Sequence, residues 1–322
     1  MKQTGIIFSL LLILGCSAPQ QKQSIHGNTM GTTYNITYIG PTIEQAIIDS
    51  VLQVVNQSMS TYIPSSTISK LNQSTGLTID LKNDAHFEYV YQCAKVLAVA
   101  SKGAFDYTVM PIVNHYGFGF EKQKETALEE WEAFIGHDKI EMKADNINMQ
   151  FIKADPRVQI DFSAIAKGYG VDVVAQLLDE KGIDRYLVEI GGEVKCKGKN
   201  NRAQYWSLGI DKPTGRQEEG FQEILRLKDK SMATSGNYRN IRVLDGTQYT
   251  HTIDPRIGMP DQSDILSATV LHESCMFADA YATALMVLGM DEVMPFIQQE
   301  KLEVYLVYDD QGTSKVYSTI KH

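Results

Sequence analysis

The sequence predicts an α+β fold in which helices and antiparallel hairpins build two interlocked lobes with a cleft between them. Three observations carry this. Two early segments repeat apolar residues at helical spacing, and several later ones alternate about Gly- or Asp-Gly-type turns. The body also lacks the strand-helix-strand rhythm of a parallel sheet and any Pro- or Ser-rich linker that would separate domains.

In chain order, Ile43, Ile47, Ile48, Val51, Leu52, Val55 and Met59 form the stripe of an amphipathic helix. Residues 84–102 repeat it through Phe87, Val90, Tyr91, Ala94, Leu97 and Ala98, with Asp84 placed to cap the start and Gly103 to end it. From Lys139 to Ile152 the period changes to two around Ala144-Asp145-Asn146, a hairpin. The run "VQIDFSAIAKGYGVDVVAQLLDEKG" passes from a short strand ending at Asp161 into a helix that stops at Gly182. Hairpins follow, turning at Gly191-Gly192 and at Asp245-Gly246, the second extending to Pro255. A strand at 266–271, a helix through "ESCMFADAYATALMVLG" and a last hairpin complete the chain.

The N-terminus reads differently. Lys2 precedes the apolar run "GIIFSLLLILG", too short to span a bilayer as a stable helix, and the run ends at Gly15-Cys16 before a polar stretch. This pattern resembles a bacterial lipoprotein processing site. The expectation is a signal peptide over residues 1–15, a lipid-bearing Cys16, a flexible tether over 16–27, and one domain over 28–322 on the periplasmic face of a membrane. The remaining Cys93, Cys196 and Cys275 are odd in number and lack CxxC spacing, which favours buried free thiols over a disulfide framework.

Of the 322 residues, 43% are hydrophobic and 21% charged, as in ordinary globular domains. A formal charge of −9 excludes a nucleic-acid partner, because phosphate binding needs a basic surface to displace counterions. Dinucleotide-fold, P-loop, HExxH and GxSxG signatures are all absent. What remains is polar residues on segments that otherwise read as buried. Asp279 and Thr283 lie four apart on an apolar helix, so their oxygens share a face and suit either a hard cation or a purely structural bond. In "DFSAIAKGYG", Asp161 ends the strand, Ala164 to Ala166 keep the backbone accessible, and Lys167 sets a charge near a helix start where an anion could sit. Tyr249, His251 and Ile253 alternate onto one strand face, and a lone histidine there is compatible with catalysis or with structure.

Together these segments say more than each does alone. "MGTTYNI" (30–36), "MSTYIPSSTISKLN" (59–72), "GAFDYTVMP" (103–111), "IDFSAIAKGYGVD" (160–172), "YLVEIGGEV" (186–194), "ATSGNYRN" (233–240), "HTIDPRIGMP" (251–260) and "ADAYATALMVLG" (278–289) stand in the order and spacing of the ApbE-type FAD:protein FMN transferases. Nearly the whole mature chain resembles that family. The resemblance implies a lipoprotein that binds FAD with Mg²⁺ and moves the FMN half onto a threonine hydroxyl of another protein, releasing AMP. It assigns dinucleotide contacts to Met30, Tyr62, Ala104, Phe105, Asp106, Asp161, Lys167 and Ile253. Mg²⁺ would take the backbone carbonyl of Ala164 and the side chains of Asp279 and Thr283, and His251 would be the general base. Implied acceptors are flavin-bearing subunits of membrane electron-transport complexes, such as the Na⁺-pumping NADH:quinone reductase or Rnf-type systems. The pattern departs at Ala282, where many members carry a second acid, and at Phe162-Ser163, where smaller pairs are frequent. Two other readings fit the same residues: an FAD pyrophosphatase giving FMN and AMP, and a flavin-binding lipoprotein without catalysis. The family's acceptor run, of the Asp-Gly-x-Ser/Thr-Gly-Ala-Thr type, does not occur in this chain.

Overall fold

The computed structural model describes residues 21–119, 130–213, 220–237, 241–244, 247–250, 252–260 and 263–321, with 241–244, 247 and 248 as backbone only. The apolar N-terminal run and Cys16 lie outside these residues, as do His251 and the expected Asp245-Gly246 turn. The chain opens with β1 (Lys22–Thr29) and β2 (Thr32–Ile39), paired in register from Thr29–Thr32 to Lys22–Ile39. Their two-residue turn, Met30-Gly31, has both φ angles positive, at 49° and 71°, the geometry that matches the twist of a tight hairpin. Strand β1 thus takes in residues 22–27, which the sequence reading gave to the tether; their polar composition hid an alternation that needs β2 to become visible.

Helix α1 (Gln45–Met59) follows, and the chain then leaves this lobe to build a second one. That lobe comprises α2 (Thr67–Gln73), β3 (Thr78–Lys82), α3 (Ala85–Ala100), α4 (Met110–His115), β4 (Ile140–Ala144) and β5 (Asn148–Lys153), its strands ordered β3-β5-β4. Asp84 caps α3 as expected, accepting from the Phe87 amide at 3.1 Å. The strand expected to end at Asp161 is only an isolated bridge between Gln159 and Val109. The amide of Asp161 instead donates to the Tyr107 carbonyl at 2.8 Å, which ties the junction to the loop after α3.

The chain re-enters the first lobe through α5 (Ala166–Glu180), then β6 (Tyr186–Ile190) and β7 (Glu193–Lys197). Strands β8 (Trp206–Asp211) and β9 (Phe221–Leu227) form a hairpin of their own before β10 (Ser231–Gly236). Next come the paired β11 (Ile241–Leu244) and β12 (Thr247–Thr250), then the paired β13 (Ile253–Asp254) and β14 (Met259–Pro260). The single strand expected to run past Thr250 to Ile253 is therefore two strands with different partners, and a shared face for Tyr249 and Ile253 does not follow. The chain ends with β15 (Ile265–His272), α6 (Cys275–Glu300), β16 (Glu303–Asp310) and β17 (Thr313–Ser318). Gly289, the expected stop of the last helix, is non-helical at φ 64° and ψ 172°; helix resumes beyond it and the two pieces join across a kink.

Eight strands form the main sheet among the described residues, in the order β1-β2-β6-β7-β10-β15-β16-β17. Alternation gives it two apolar faces. Ile36, Val188, Ala233, Val270 and Val304 pack toward helices α1, α5 and α6, whereas Cys196, Met232, Leu271 and Tyr305 pack under the β8–β9 hairpin. One cluster runs from Ala282 and Leu285 of α6 to Phe87, Phe151 and Phe162 of the inserted lobe, so the lobes share a core. Cys196 and Cys275 are buried thiols, and Cys93 is half-buried.

One buried cation in the second lobe gives a pH test. Lys153 is 3% exposed, and its Nζ donates to the carbonyls of Leu71 and Ser74 at 3.1 and 3.2 Å, closing the end of α2. Burial pushes its pKa down to about 8. Below pH 8 the lysine is charged in folded and unfolded chains alike. Above it the folded state sheds its proton first, so this residue's contribution becomes more favourable up to the ordinary lysine pKa. Urea unfolding at pH 7.5 and 10 should show wild type gaining on Lys153→Met by up to on the order of 3 kcal/mol. A difference that does not change with pH would mean that Lys153 stays protonated.

Candidate active site

The cleft between the lobes is a cavity of about 580 Å³. The inserted lobe contributes Ala104, Phe105 and Asp106, and the α1–α2 loop contributes Tyr62; the junction contributes Asp161, Ala164 and Lys167. Ile253 closes one side, and Asp279 and Thr283 of α6 reach in from the sheet lobe. All ten are residues that the sequence reading singled out. Met30 is not among the lining residues. It lines an adjoining cavity of about 1000 Å³ between the β1–β2 turn and α1. The two cavities meet at Thr61, Tyr62, Ser163 and Lys167, which line both.

The approach of α5 to α6 builds the centre of the cleft. Gly168 has no side chain because the Cys275 carbonyl oxygen stands 2.3 Å from where a Cβ would be. Its amide donates to Asp279 Oδ2 at 3.1 Å. At the N-terminus of α6, Asp172 of α5 accepts from the amides of Cys275 and Met276 and from Ser274 Oγ, so it fixes the crossing and complements the helix dipole. This brings Lys167 Nζ to 3.8 Å from Asp279 Oδ2 and 3.6 Å from Glu193 Oε1. Thr283, one turn beyond Asp279, has Oγ1 3.3 Å from Ser235 Oγ.

Burial dominates the electrostatics. It pushes the Asp279 carboxyl upward, opposed by Lys167 and the Gly168 amide. Glu193 is pushed up to about 8, again by burial first, with Lys167 opposing and Asp279 adding to the rise. Burial works against the Lys167 ammonium, but Asp279 and Glu193 together hold it above the ordinary lysine range. Asp161 is raised by burial, although its Oδ1 accepts from the Ser163 amide at 2.8 Å and from its hydroxyl at 2.5 Å. Both oxygens of Asp106 are engaged: Oδ1 accepts from the Thr108 amide and hydroxyl in its own loop, and Oδ2 from the His137 amide in the segment before β4.

The donor set suits a hard cation. Asp279, Thr283, the Ala164 backbone and Glu193 offer only oxygen, and Glu193 Oε2 is buried without a hydrogen-bond partner. Among the described residues no three His, Cys, Asp or Glu side chains converge enough to hold a metal by themselves. A cation here would also need hydroxyl, carbonyl, water or substrate oxygens.

Sequence reasoning missed Glu193, and a signal for it existed. In a hairpin turning at Gly191-Gly192, Glu193 stands opposite Ile190, whose alternation with Val188 and Tyr186 marks the core-facing side. His251 lies outside the described residues; the next residues in sequence, Thr252 and Ile253, line the cavity.

Comparison with known proteins agrees with this architecture. The model of the ApbE family matches residues 30–306. The FAD:protein FMN transferase of Haemophilus influenzae is 38% identical over 309 residues, 92% of this chain and 89% of that protein. The FAD:protein FMN transferase of Vibrio cholerae is also 38% identical, over 97% of this chain and 95% of its own. The solved structure of the flavin transferase ApbE from Vibrio cholerae superposes with a TM-score of 0.82 at 38% identity, covering 93% of this chain and 97% of that one. The apo flavinyl transferase ApbE of Pseudomonas stutzeri gives 0.81 at 28% identity, over 93% and 95%.

Proposed function

The chain belongs to the ApbE family, and from that premise we propose that it is an FAD:protein FMN transferase that moves FMN from FAD to a threonine hydroxyl of an acceptor protein and releases AMP. The observation that carries this reading is the meeting of two cavities at Lys167. A dinucleotide has two bulky halves joined by a charged pyrophosphate. Two chambers with an ammonium at their junction suit that shape, one half on either side and the phosphates at the cation.

In this reading Ala104, Phe105, Asp106, Asp161 and Ile253 contact the half in the first chamber, and Met30 and Tyr62 the half in the second. Asp106 acts by holding its loop in shape, since its oxygens are already engaged. Asp161 fixes the Ser163 turn so that the backbone at Ala164 stays open. Asp279, Thr283 and the Ala164 carbonyl would hold Mg²⁺. When bound, Mg²⁺ supplies positive charge against the pyrophosphate and the departing AMP. Lys167 orients the phosphates, and His251 takes the proton of the acceptor hydroxyl, a poor nucleophile near neutral pH.

The acceptors in this proposal are flavin-bearing subunits of membrane complexes, of the Na⁺-pumping NADH:quinone reductase or Rnf type. A lipid on Cys16 would keep the enzyme at the periplasmic face of the membrane beside them. Its support is the apolar run ending at Gly15-Cys16. Cys16→Ala should yield protein without lipid, and intact mass of wild type showing an unmodified Cys16 would remove the anchor. The central test is incubation of the protein with FAD, Mg²⁺ and a candidate acceptor, read by gel fluorescence of covalent flavin. Free FMN and AMP with no labelled acceptor would identify a pyrophosphatase instead.

A further inference from the structure

Glu193 opens β7 straight after the Gly191-Gly192 turn and is 5% exposed in the wall of the first cavity. Its two oxygens have unequal surroundings. Oε1 lies 3.6 Å from Lys167 Nζ, whereas Oε2 is buried with no hydrogen-bond partner. An ionised oxygen in that position is costly unless some other charge at the site compensates it. The balance around Lys167 indicates which charge. Its ammonium, 3.8 Å from Asp279 Oδ2, cancels that carboxylate, and a divalent cation gains little from a pair that is already neutral. With Glu193 included, the three groups sum to one negative charge.

We propose that Glu193 supplies the negative charge that allows Asp279 and Thr283 to hold a divalent cation beside Lys167. By pairing with the ammonium through Oε1 it frees Asp279 for the cation, and the cation's field compensates the unpartnered Oε2. Glu193 is thus a positioning residue that acts on the cation through charge. This rests on the cation reading above, and the experiment separates the two.

The test measures Mn²⁺ affinity of the full chain by electron paramagnetic resonance of the free ion, under argon at pH 8.5. It compares wild type, Asp279→Asn, Glu193→Gln and the double variant Glu193→Gln with Lys167→Met. Glutamine keeps the shape and removes only the charge, so Glu193→Gln should weaken Mn²⁺ by at least about tenfold. Adding Lys167→Met returns the site to one negative charge and should restore most of that loss. Unchanged affinity in Glu193→Gln, alongside a clear loss in Asp279→Asn, overturns the proposal and leaves the cation site standing. A loss that Lys167→Met does not recover also overturns it, because charge is then not the cause. Wild-type affinity in Asp279→Asn removes the cation reading itself, and this proposal with it.

Discussion

Replacing Gly168 by alanine should destabilise the protein by roughly 3 kcal/mol or more and dismantle the centre of the cleft in the same step. The added methyl would stand 2.3 Å from the Cys275 carbonyl oxygen, 2.6 Å from its carbon and 2.8 Å from Met276 Cα. All three are backbone atoms, so no side chain can swing away to relieve the contact. Helices α5 and α6 must separate instead, which pulls the Gly168 amide from Asp279 and Lys167 from the same carboxylate. Gly182→Ala is the comparison. That glycine has φ +73° with nothing within 4 Å of its added Cβ, so only backbone strain of about 1–2 kcal/mol is expected there. Urea unfolding of both variants gives the ranking, and FAD affinity of Gly168→Ala, measured where it is still folded, should fall much further than that of Gly182→Ala. Equal stability of Gly168→Ala and wild type would mean that the helices do not approach as closely as described.

The parts of this architecture that could be read in advance were those whose signal is local. Helices α1 and α3 carry their stripes and, in α3, a cap within a few residues, and the β6–β7 hairpin announces its turn by two glycines. Asp279 and Thr283 were legible because a spacing of four is itself a statement about one helix face. The β1–β2 hairpin was missed because its two-residue turn opens with a methionine in the left-handed region, so that Gly31 stands without the Asn, Asp or Gly that usually precedes it in such turns. Strands β8 and β9 escaped because their pairing is set across a long connection rather than by a short turn. The sheet order could not be read at all: β2 pairs with β6, although Tyr34 and Ile190 lie far apart in sequence. Contacts of that kind depend on the fold as a whole, and Glu193 shows the consequence for the site. Its register opposite Ile190 follows from the turn, but its value as a charge appears only once α5 and α6 bring Lys167 and Asp279 to it.

His251→Ala is expected to leave most FAD binding intact while covalent transfer falls by about 10²–10⁴-fold, the usual worth of a general base. The binding half of this expectation follows from where the other proposed contacts sit. Tyr62, Ala104, Phe105, Asp161, Lys167 and Ile253 line the cavity from the α1–α2 loop, the loop after α3, the α5 junction and β13. The catalytic half follows from the chemistry of the proposed acceptor. A threonine hydroxyl is almost wholly protonated near neutral pH, so without a base the attack depends on the rare alkoxide. Raising the pH supplies more alkoxide, and the variant's rate should therefore climb with pH where that of wild type has levelled off. FAD affinity and FMN transfer are to be measured on one folded preparation of each protein. Parallel loss of both would make His251 a ligand contact or packing residue. Unchanged transfer would take it out of the mechanism and move the search for a base to the other titratable groups that line the cavity, Asp161 first, because burial already raises its carboxyl.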